Sequence, residues 1–276
     1  MIVDYHLHLR PDGDRLDDGA YAPEHLERYL AAARGRGVGE IAITEHVYRF
    51  RQAARLADHE YWLDNTRDDL DLYCDRLSDA RDGGLPVLVG LELDWLGGDA
   101  VPGLQAIADG YPWDVLLGSV HWSGPLAFDH PDYSIWDSYP VDDVWRRYVD
   151  ALCDAAASEI YDVMAHPDLA KVFGERPSAA LSHELGDQVA ECFRSTGVCA
   201  EVSSGGLRKA AGEIYPSDDW LARLYGAGVP ITLASDAHLP GDVGIGIDRC
   251  LAAASAAGYT SLARFRGRER EAVTLG

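Results

Sequence analysis

Apolar residues along this chain fall into two patterns, which alternate from one end of the sequence to the other. Short runs of consecutive apolar residues are typical of strands that are buried on both faces. They predict seven strands, near residues 2–6, 40–44, 86–92, 114–120, 162–165, 198–202 and 230–234. Between these runs, apolar residues recur three and four positions apart, as they do on one face of a helix. These segments predict helices over 23–36, 59–82 (as one helix or two), 141–157, 178–196, 217–227 and about 247–257.

The alternation of strands and helices determines the predicted architecture. Strands that are separated by helices pair in parallel through right-handed crossovers. Strands this short, and apolar on both faces, are better buried in a closed barrel than in an open sheet. We therefore predict an α/β fold, a distorted seven-stranded (β/α)7 TIM-like barrel, with residues 1–276 in a single domain. An open doubly wound sheet is the alternative, but it would bring ligands together only at a switch point.

Histidine and acidic residues stand at the ends of the predicted strands. All strands of a parallel barrel end at one mouth, so residues far apart in sequence converge there. Imidazole nitrogen and carboxylate oxygen are ligands that Zn, Mn and Fe accept. A lone histidine at a strand end is as often a hydrogen-bonded core residue, but the joint pattern favours a multinuclear metal site. The residues concerned are His6, His8, His46, Glu92, His121, His166, Asp236 and His238.

The spacing within two of these segments supports the same interpretation. His6 and His8 are two residues apart, as are Asp236 and His238, so an extended chain places both members of each pair on one face. The remaining histidines fall in predicted helices or in a Pro-rich loop. We expect ordinary surface positions for His25, His59, His130 and His183.

Composition narrows the range of partners and compartments. The formal net charge of −22 argues against a nucleic-acid partner held by a basic surface. No apolar stretch is long enough to span a bilayer, and a strand predicted from residue 2 leaves no room for a signal peptide. The five cysteines form no C-x-x-C pair, which indicates reduced thiols and a cytoplasmic protein. The oligomeric state is left open.

The strand ends carry longer motifs, and together these resemble a known family. The motifs are DYHLH at 4–8, TEH at 44–46, GLELD at 90–94, GSVH at 118–121, DVMAHPDL at 162–169, EVSSGGLRK at 201–209 and ASDAH at 234–238. The chain resembles the polymerase-and-histidinol-phosphatase (PHP) superfamily over nearly its whole length. The segment 205–216 and the residues 242–244 are more particular to the histidinol-phosphate phosphatase branch.

The resemblance implies a centre of three divalent metal ions (Zn, Mn or Fe) at the barrel mouth. The family commonly has His where this chain has Asp14, but a carboxylate is also a competent ligand. Asp12 is the alternative ligand at this position. Residue by residue, the first ion would take His6, His8, Glu92 and Asp236, the second Glu92, His121 and His166, and the third His46, His238 and Asp14.

The resemblance also implies the reaction, the hydrolysis of L-histidinol phosphate to L-histidinol and phosphate in histidine biosynthesis. Clustered divalent ions neutralise phosphoryl oxygens and deprotonate a bridging water, and here Glu92 and Asp236 would hold this metal-bridged hydroxide. The expected partner is thus a small phosphate ester. Candidates for its contacts are Arg208 and Lys171 on the phosphate and Trp122 on an imidazole ring, with Glu45 and Glu201 orienting metal ligands.

Other functions remain open at this point. The chain could act on another small phosphate monoester or on a phosphodiester, or it could be a metal-binding module without turnover. The common binuclear amidohydrolases need a carboxylated Lys at a central strand end, and neither Lys171 nor Lys209 lies there. Patterns of a Ser-His-Asp hydrolase and of a phosphate-binding P-loop are both absent from the sequence.

Overall fold

The computed structural model describes residues 1–10 and 21–275. Asp12 and Asp14 lie outside these residues. The strands are β1 (Ile2–Asp4), β2 (Val38–Ile43), β3 (Val87–Asp94), β4 (Val115–Ser119), β5 (Trp122–Ser123), β6 (Leu126–Ala127), β7 (Val163–Met164), β8 (Cys199–Ser203), β9 (Ile231–Ala234), β10 (Ser261–Arg266) and β11 (Glu269–Thr274). The α-helices are α1 (Pro23–Gly35), α2 (Glu60–Asn65), α3 (Leu70–Asp82), α4 (Val101–Gly110), α5 (Val141–Ala157), α6 (Ala179–Thr196), α7 (Asp218–Gly226) and α8 (Ile247–Ala257).

Seven of the strands form one parallel sheet, in the order β1-β2-β3-β4-β7-β8-β9. The first and last strands of this order meet, because the Tyr5 N–H donates to the Leu233 carbonyl at 3.0 Å and Leu7 bridges to Ala237. The sheet therefore curls into a nearly closed barrel. This confirms the predicted seven-stranded TIM-like architecture.

The helices follow the predicted pattern with one clear refinement. The segment predicted as 59–82 forms two helices, and Asp69 accepts hydrogen bonds from the backbone of Asp71 and Leu72 to begin the second. An Asp at this capping position satisfies N–H groups that have no partner within the helix. Helix α5 has the predicted bounds, whereas α4 and the hairpins β5–β6 and β10–β11 were not predicted. In the described part of the chain, no helix is long and apolar enough to cross a membrane.

The barrel buries its strands on both faces. Every residue of β3, β4, β8 and β9 is buried, as expected when one face fills the barrel and the other packs against helices. The buried apolar side chains form one contiguous cluster. Charged and polar residues are buried with them at the strand ends, where only specific partners can compensate for their lost hydration.

The hairpin β10–β11 closes the end of the barrel at which the strands begin. Its turn lies against Asp114, whose carbonyl accepts from the Arg268 N–H and whose carboxylate accepts from the Gly267 N–H. Phe265 packs edge-on against Tyr5, with ring centroids 6.4 Å apart. The histidines lie at the other end of the barrel, where the strands end.

Candidate metal centre

Glu92 lies at the centre of the histidine cluster. Its Oε1 faces Nε2 of His166 at 3.2 Å and of His121 at 3.5 Å. Its Oε2 faces Nδ1 of His46 at 2.5 Å and Nε2 of His6 and His8 at 3.4 and 3.7 Å. The two oxygens thus face different sets of histidines, which is the arrangement a bridging carboxylate needs.

Asp236 lies beside the same cluster from the end of β9. Its Oδ1 is 3.7 Å from His8 Nε2 and 3.7 Å from His238 Nδ1. Asp236 has a φ of 52° and His166 a φ of 29°, a region that residues other than glycine rarely adopt. Such backbone conformations persist where the surrounding structure fixes them, and they concentrate at functional sites. The predicted ligands of the described chain therefore converge, as the strand-end pattern indicated.

The segment before Asp236 is fixed by a buried carboxylate. Asp4 accepts from the Ser235 N–H at 2.7 Å, from the Ser235 hydroxyl at 2.6 Å and from the Gly244 N–H at 3.0 Å. Burial raises the pKa of Asp4 to about 6, against the lowering effect of these hydrogen bonds. Asp4 holds the backbone from which Asp236 and His238 project.

Three further carboxylates orient the histidine rings. Glu201 Oε2 lies 2.8 Å from His6 Nδ1, and Asp94 Oδ1 lies 2.6 Å from His121 Nδ1. In both rings this leaves Nε2 facing Glu92, and a carboxylate behind an imidazole makes it a stronger ligand. Glu45 lies 3.7 Å from His8 Nδ1 and pairs with Arg49 at 2.8 Å. Asp94 was not predicted from the sequence, although it is two residues after Glu92 and so on the same face of β3.

The donor atoms of the cluster fit a divalent metal. Several of them are buried and have no hydrogen-bond partner among the described residues, which is costly unless an ion occupies the space between them. Three groups of three residues bring their donor atoms within 4.8 Å of one another: His8, His46 and His238; His6, His8 and Glu92; His46, Glu92 and His121. Mixed imidazole and carboxylate donors suit Zn, Mn and Fe.

The carboxylates of the cluster favour the binding of protons or metal cations. Burial lowers the pKa of His6, but Glu201, Glu92 and Asp236 outweigh it and hold that pKa well above its usual value. The same balance holds for His121, where burial is outweighed by Asp94, Asp129 and Glu92. The carboxylates therefore retain protons on these rings where cations would otherwise bind.

The two residues predicted to contact the phosphate, Arg208 and Lys171, differ from each other in their surroundings. Arg208 donates from Nη2 to the carbonyls of Ser235 and Asp236, at 2.7 and 2.8 Å, while its buried Nη1 has no hydrogen-bond partner in the described chain. Arg208 is therefore hydrogen-bonded to the backbone of the metal centre, and the donors of its Nη1 are available to a ligand.

Lys171, the second candidate for a phosphate contact, is buried with partners of its own. The residue is 1% exposed, and its ammonium lies 2.7 Å from Asp168, 3.3 Å from Glu213 and 2.8 Å from the Ile214 carbonyl. These partners use its three donors. We therefore leave Lys171 out of the substrate contacts and assign it to the packing of the loops after β7 and β8.

Trp122, which the sequence predicts to contact the imidazole ring of a substrate, lies among other aromatic side chains beside the cluster. It is buried in the hairpin β5–β6, with its ring centroid 4.7 Å from His59, 5.4 Å from Tyr61 and 5.6 Å from Tyr133. The expectation of ordinary surface positions fails for His59 and His130, because both are half-buried in this aromatic group. His183 is exposed as expected, whereas His25 is half-buried and contacts the Leu9 carbonyl at 2.8 Å.

A cavity of about 120 Å³ opens beside the cluster. His46 and His121 form its inner wall, so a ligand in the cavity would lie next to the metal-binding side chains. Most of the other residues that line the cavity were not predicted to contact a ligand. The cavity is lined by His46, Tyr48, Tyr61, His121, Trp122, Asp129, His130 and Lys209.

Comparison with known proteins identifies a family and a relative. The family model described as PHP domain matches residues 6–205. A Deinococcus radiodurans protein named "Probable histidinol-phosphatase" is 32% identical over 164 residues, which are 59% of this chain and 61% of that relative. The match thus spans less than two thirds of the relative's length.

Two solved structures share the fold over most of their length. Histidinol phosphate phosphatase from Lactococcus lactis, crystallised with zinc, L-histidinol and phosphate, is 20% identical with a TM-score of 0.79, covering 98% of both chains. A candidate histidinol phosphatase from Listeria monocytogenes is 19% identical with a TM-score of 0.75, covering 90% of this chain and 99% of the other. At these identities the similarity establishes the barrel fold.

Proposed function

This chain belongs to the PHP domain family, and we propose that it is a metal-dependent phosphatase that hydrolyses L-histidinol phosphate to L-histidinol and phosphate, a step of histidine biosynthesis. The observation that carries this proposal is the Glu92 carboxylate, which five histidines surround at 2.5 to 3.7 Å. Buried donor atoms around it lack hydrogen-bond partners in the described chain. A cluster of this kind has no evident structural role without cations.

Each proposed ion has a defined set of ligands. Divalent ions bound there would neutralise phosphoryl oxygens, lower the pKa of coordinated water and stabilise the leaving oxygen. Asp14, or Asp12 in its place, would complete the third set, and both lie outside the described residues. The three sets are His6, His8, Glu92 and Asp236; Glu92, His121 and His166; and His46, His238 and Asp14.

The protein's own residues would bind and orient the ester. Arg208 offers the donors of Nη1 to the phosphate, and Lys209 adds a second cation from the neighbouring cavity. Glu201 and Asp94 keep Nδ1 of His6 and His121 engaged, so that Nε2 of each ring stays directed at Glu92. The aromatic group around Trp122 bounds the space available to the organic part of the substrate.

Two observations support the choice of substrate. The Deinococcus radiodurans relative is named for this activity, and the Lactococcus lactis structure contains L-histidinol and phosphate together with zinc. The charge balance of this chain, −22, disfavours a polyanionic nucleic acid. A small amino-alcohol phosphate, whose ammonium group offsets part of the phosphate charge, is compatible with these observations.

The test is a phosphate-release screen of the metal-loaded protein. We expect L-histidinol phosphate to have the highest kcat/KM in a panel with nucleoside monophosphates, sugar phosphates and an aryl phosphodiester. Removal of metal by chelation should abolish turnover, and Zn or Mn should restore it. Faster turnover of a sugar phosphate or of the diester would refute the substrate, and turnover by verified metal-free protein would refute the mechanism.

A further inference from the structure

We propose that Asp129 binds the ammonium group of the substrate, so that the site selects phosphate esters with a positive charge close to the ester oxygen. The inference rests on the proposed phosphatase function and names the residue that distinguishes an amino-alcohol phosphate from other small monoesters. Its starting observation is a carboxylate without a partner in a cavity beside the metal centre.

The backbone holds Asp129 next to the metal cluster. The N–H of its neighbour Phe128 donates to the His121 carbonyl at 2.9 Å, and the Phe128 carbonyl accepts from Trp136 Nε1 at 2.9 Å. Phe128 itself is fully buried. Asp129 therefore follows an anchored residue, and its position relative to His121 is fixed by short contacts.

The Asp129 carboxylate makes no hydrogen bond or ion pair with another residue that the structure describes. It is half-buried and lines the cavity of about 120 Å³ with His46 and His121. The acids nearest the cluster behave differently, because Glu201, Asp94 and Glu45 each have a hydrogen-bonded partner. In this cavity, the Asp129 carboxylate is therefore available to accept hydrogen bonds from a ligand.

Lys209 supplies the opposite charge in the same cavity. It is exposed, lines the cavity together with Asp129 and forms no ion pair with Asp129 or with any other described residue. Two opposite charges that face one space without pairing match a ligand that carries both charges. An ester with a phosphate dianion and an ammonium group a few bonds away has this distribution, with the phosphate towards Lys209 and the metal ligands.

The aromatic side of the cavity suits the rest of such a ligand. Tyr61 and His130 lie edge to face with ring centroids 5.0 Å apart, and Tyr61 is 5.4 Å from Trp122. Flat rings at these distances can hold a heteroaromatic ring by offset or edge contacts. A sugar phosphate would meet the same walls without an ammonium group for Asp129, which would then stay unpaired.

The experiment compares L-histidinol phosphate with its analogue that lacks the amine, 3-(imidazol-4-yl)propyl phosphate, on the metal-loaded protein. We expect the wild-type protein to prefer the amine by roughly tenfold to a hundredfold in kcat/KM, the usual effect of one charge-assisted hydrogen bond. Asp129→Asn should remove most of this preference by slowing the amine substrate alone. When both proteins are loaded to the same metal content, Asp129→Asn should retain its activity on the analogue, which lacks the ammonium group.

The matched control is Asp132→Asn, which neutralises an exposed acid three residues further along the same loop. This variant should keep the preference for the amine. Equal losses on both substrates in Asp129→Asn, or no loss on either, would overturn the proposal.

A second measurement separates this inference from the proposed function. Calorimetry would compare binding of L-histidinol and of 3-(imidazol-4-yl)propanol to the metal-loaded protein in the presence of inorganic phosphate. If L-histidinol phosphate is not hydrolysed but L-histidinol still binds more tightly, and Asp129→Asn removes the difference, the proposed function fails and the role of Asp129 stands. If the amine confers no advantage in either turnover or binding, the role of Asp129 is refuted whatever the enzyme hydrolyses.

Discussion

The two ends of the barrel both bury acidic side chains, but they compensate for them in different ways. At the closed end, Glu40 pairs with Arg264 and Arg266 at 3.0 and 2.9 Å, and Asp162 pairs with Arg268 at 3.1 Å. At the open end, the charged or titratable partners of the central Glu92 among the described residues are histidines. Arginine carries a permanent charge, whereas imidazole is charged only when protonated.

The buried carboxylates of Glu40 and Asp162 at the closed end are therefore neutralised by permanently charged arginines. Among the described residues, Glu92 at the open end is not. Burial raises the pKa of Asp162, and Arg268 offsets part of the increase. Burial would raise the pKa of Glu92 too, but His46, His6 and His121 hold it well below its usual range. They can do so only if they carry protons, or if cations take the place of those protons. We therefore expect the closed end to contribute stability and the open end to bind ions.

The largest effect should follow from removing a ligand at the open end. Asp236→Ala and His121→Ala should each lower phosphatase activity by more than about a thousandfold, since the residues of one catalytic unit do not act additively. Bound metal, measured by elemental analysis, should fall in parallel, while circular dichroism stays that of a folded barrel. His183→Ala, which changes an exposed histidine, is the control and should keep full activity. Full turnover by Asp236→Ala would show that this cluster is not the active site.

Breaking the closed end should affect stability and leave activity unchanged. Arg268→Ala leaves Asp162 without its cation and should cost about 2–3 kcal/mol, less than for a fully buried pair because the Arg268 side chain is 29% exposed. The pKa of Asp162 is already raised, so the carboxyl protonates first as the pH falls. The loss should therefore be larger at pH 8 than at pH 4.

Urea unfolding of metal-free protein at both pH values measures this loss. Arg146→Ala is the control, because it removes an exposed pair with Glu184 between α5 and α6 and should change stability by less than about 0.5 kcal/mol. A drop in kcat for Arg268→Ala at a temperature where the protein stays folded would contradict the separation of the two ends.

An intermediate effect should follow from neutralising the acids behind the ligands. Glu201→Gln and Asp94→Asn keep the shape of each side chain but remove the charge next to His6 and His121. We expect metal affinity to fall about 10- to 100-fold in each variant. Competition with a chelating dye measures this directly. Glu213→Gln, which pairs with Lys171 and Arg176 away from the cluster, should keep wild-type affinity.

Local patterns in the sequence were enough to predict which side chains gather at the barrel mouth. A buried parallel strand is visible as an apolar run, and the residue that ends the run must lie at the barrel mouth, so His6, Glu92 and His121 could be placed without coordinates. Asp94 was within reach of the same reasoning, since side chains two apart on a strand share a face.

Other features depend on contacts between distant segments. The burial of Lys171 depends on Glu213 and on the Ile214 carbonyl, 42 and 43 residues further along the chain. The C-terminal hairpin has charged, largely exposed residues in β11, and it is fixed by Asp114 and Asp162 far earlier in the chain. The cavity containing Asp129 likewise combines side chains from distant parts of the chain, from His46 to Lys209. No periodicity within a single segment encodes such pairings.

The smallest effect concerns the protons that His6 and His121 at the open end bind when the protein is free of metal. The pKa values of His6 and His121 lie well above their usual value, so at pH 7 both rings carry protons in the metal-free protein. Metal binding must displace those protons, and apparent affinity should rise about tenfold per pH unit for each proton released. Calorimetric titration of Zn into metal-free protein, in two buffers with different ionisation enthalpies, counts them. Glu201→Gln should release fewer protons at pH 7, because His6 loses the carboxylate that contributes most to its raised pKa. Identical heats in the two buffers for the wild-type protein would show that the histidines are already neutral and that the carboxylates do not govern the site.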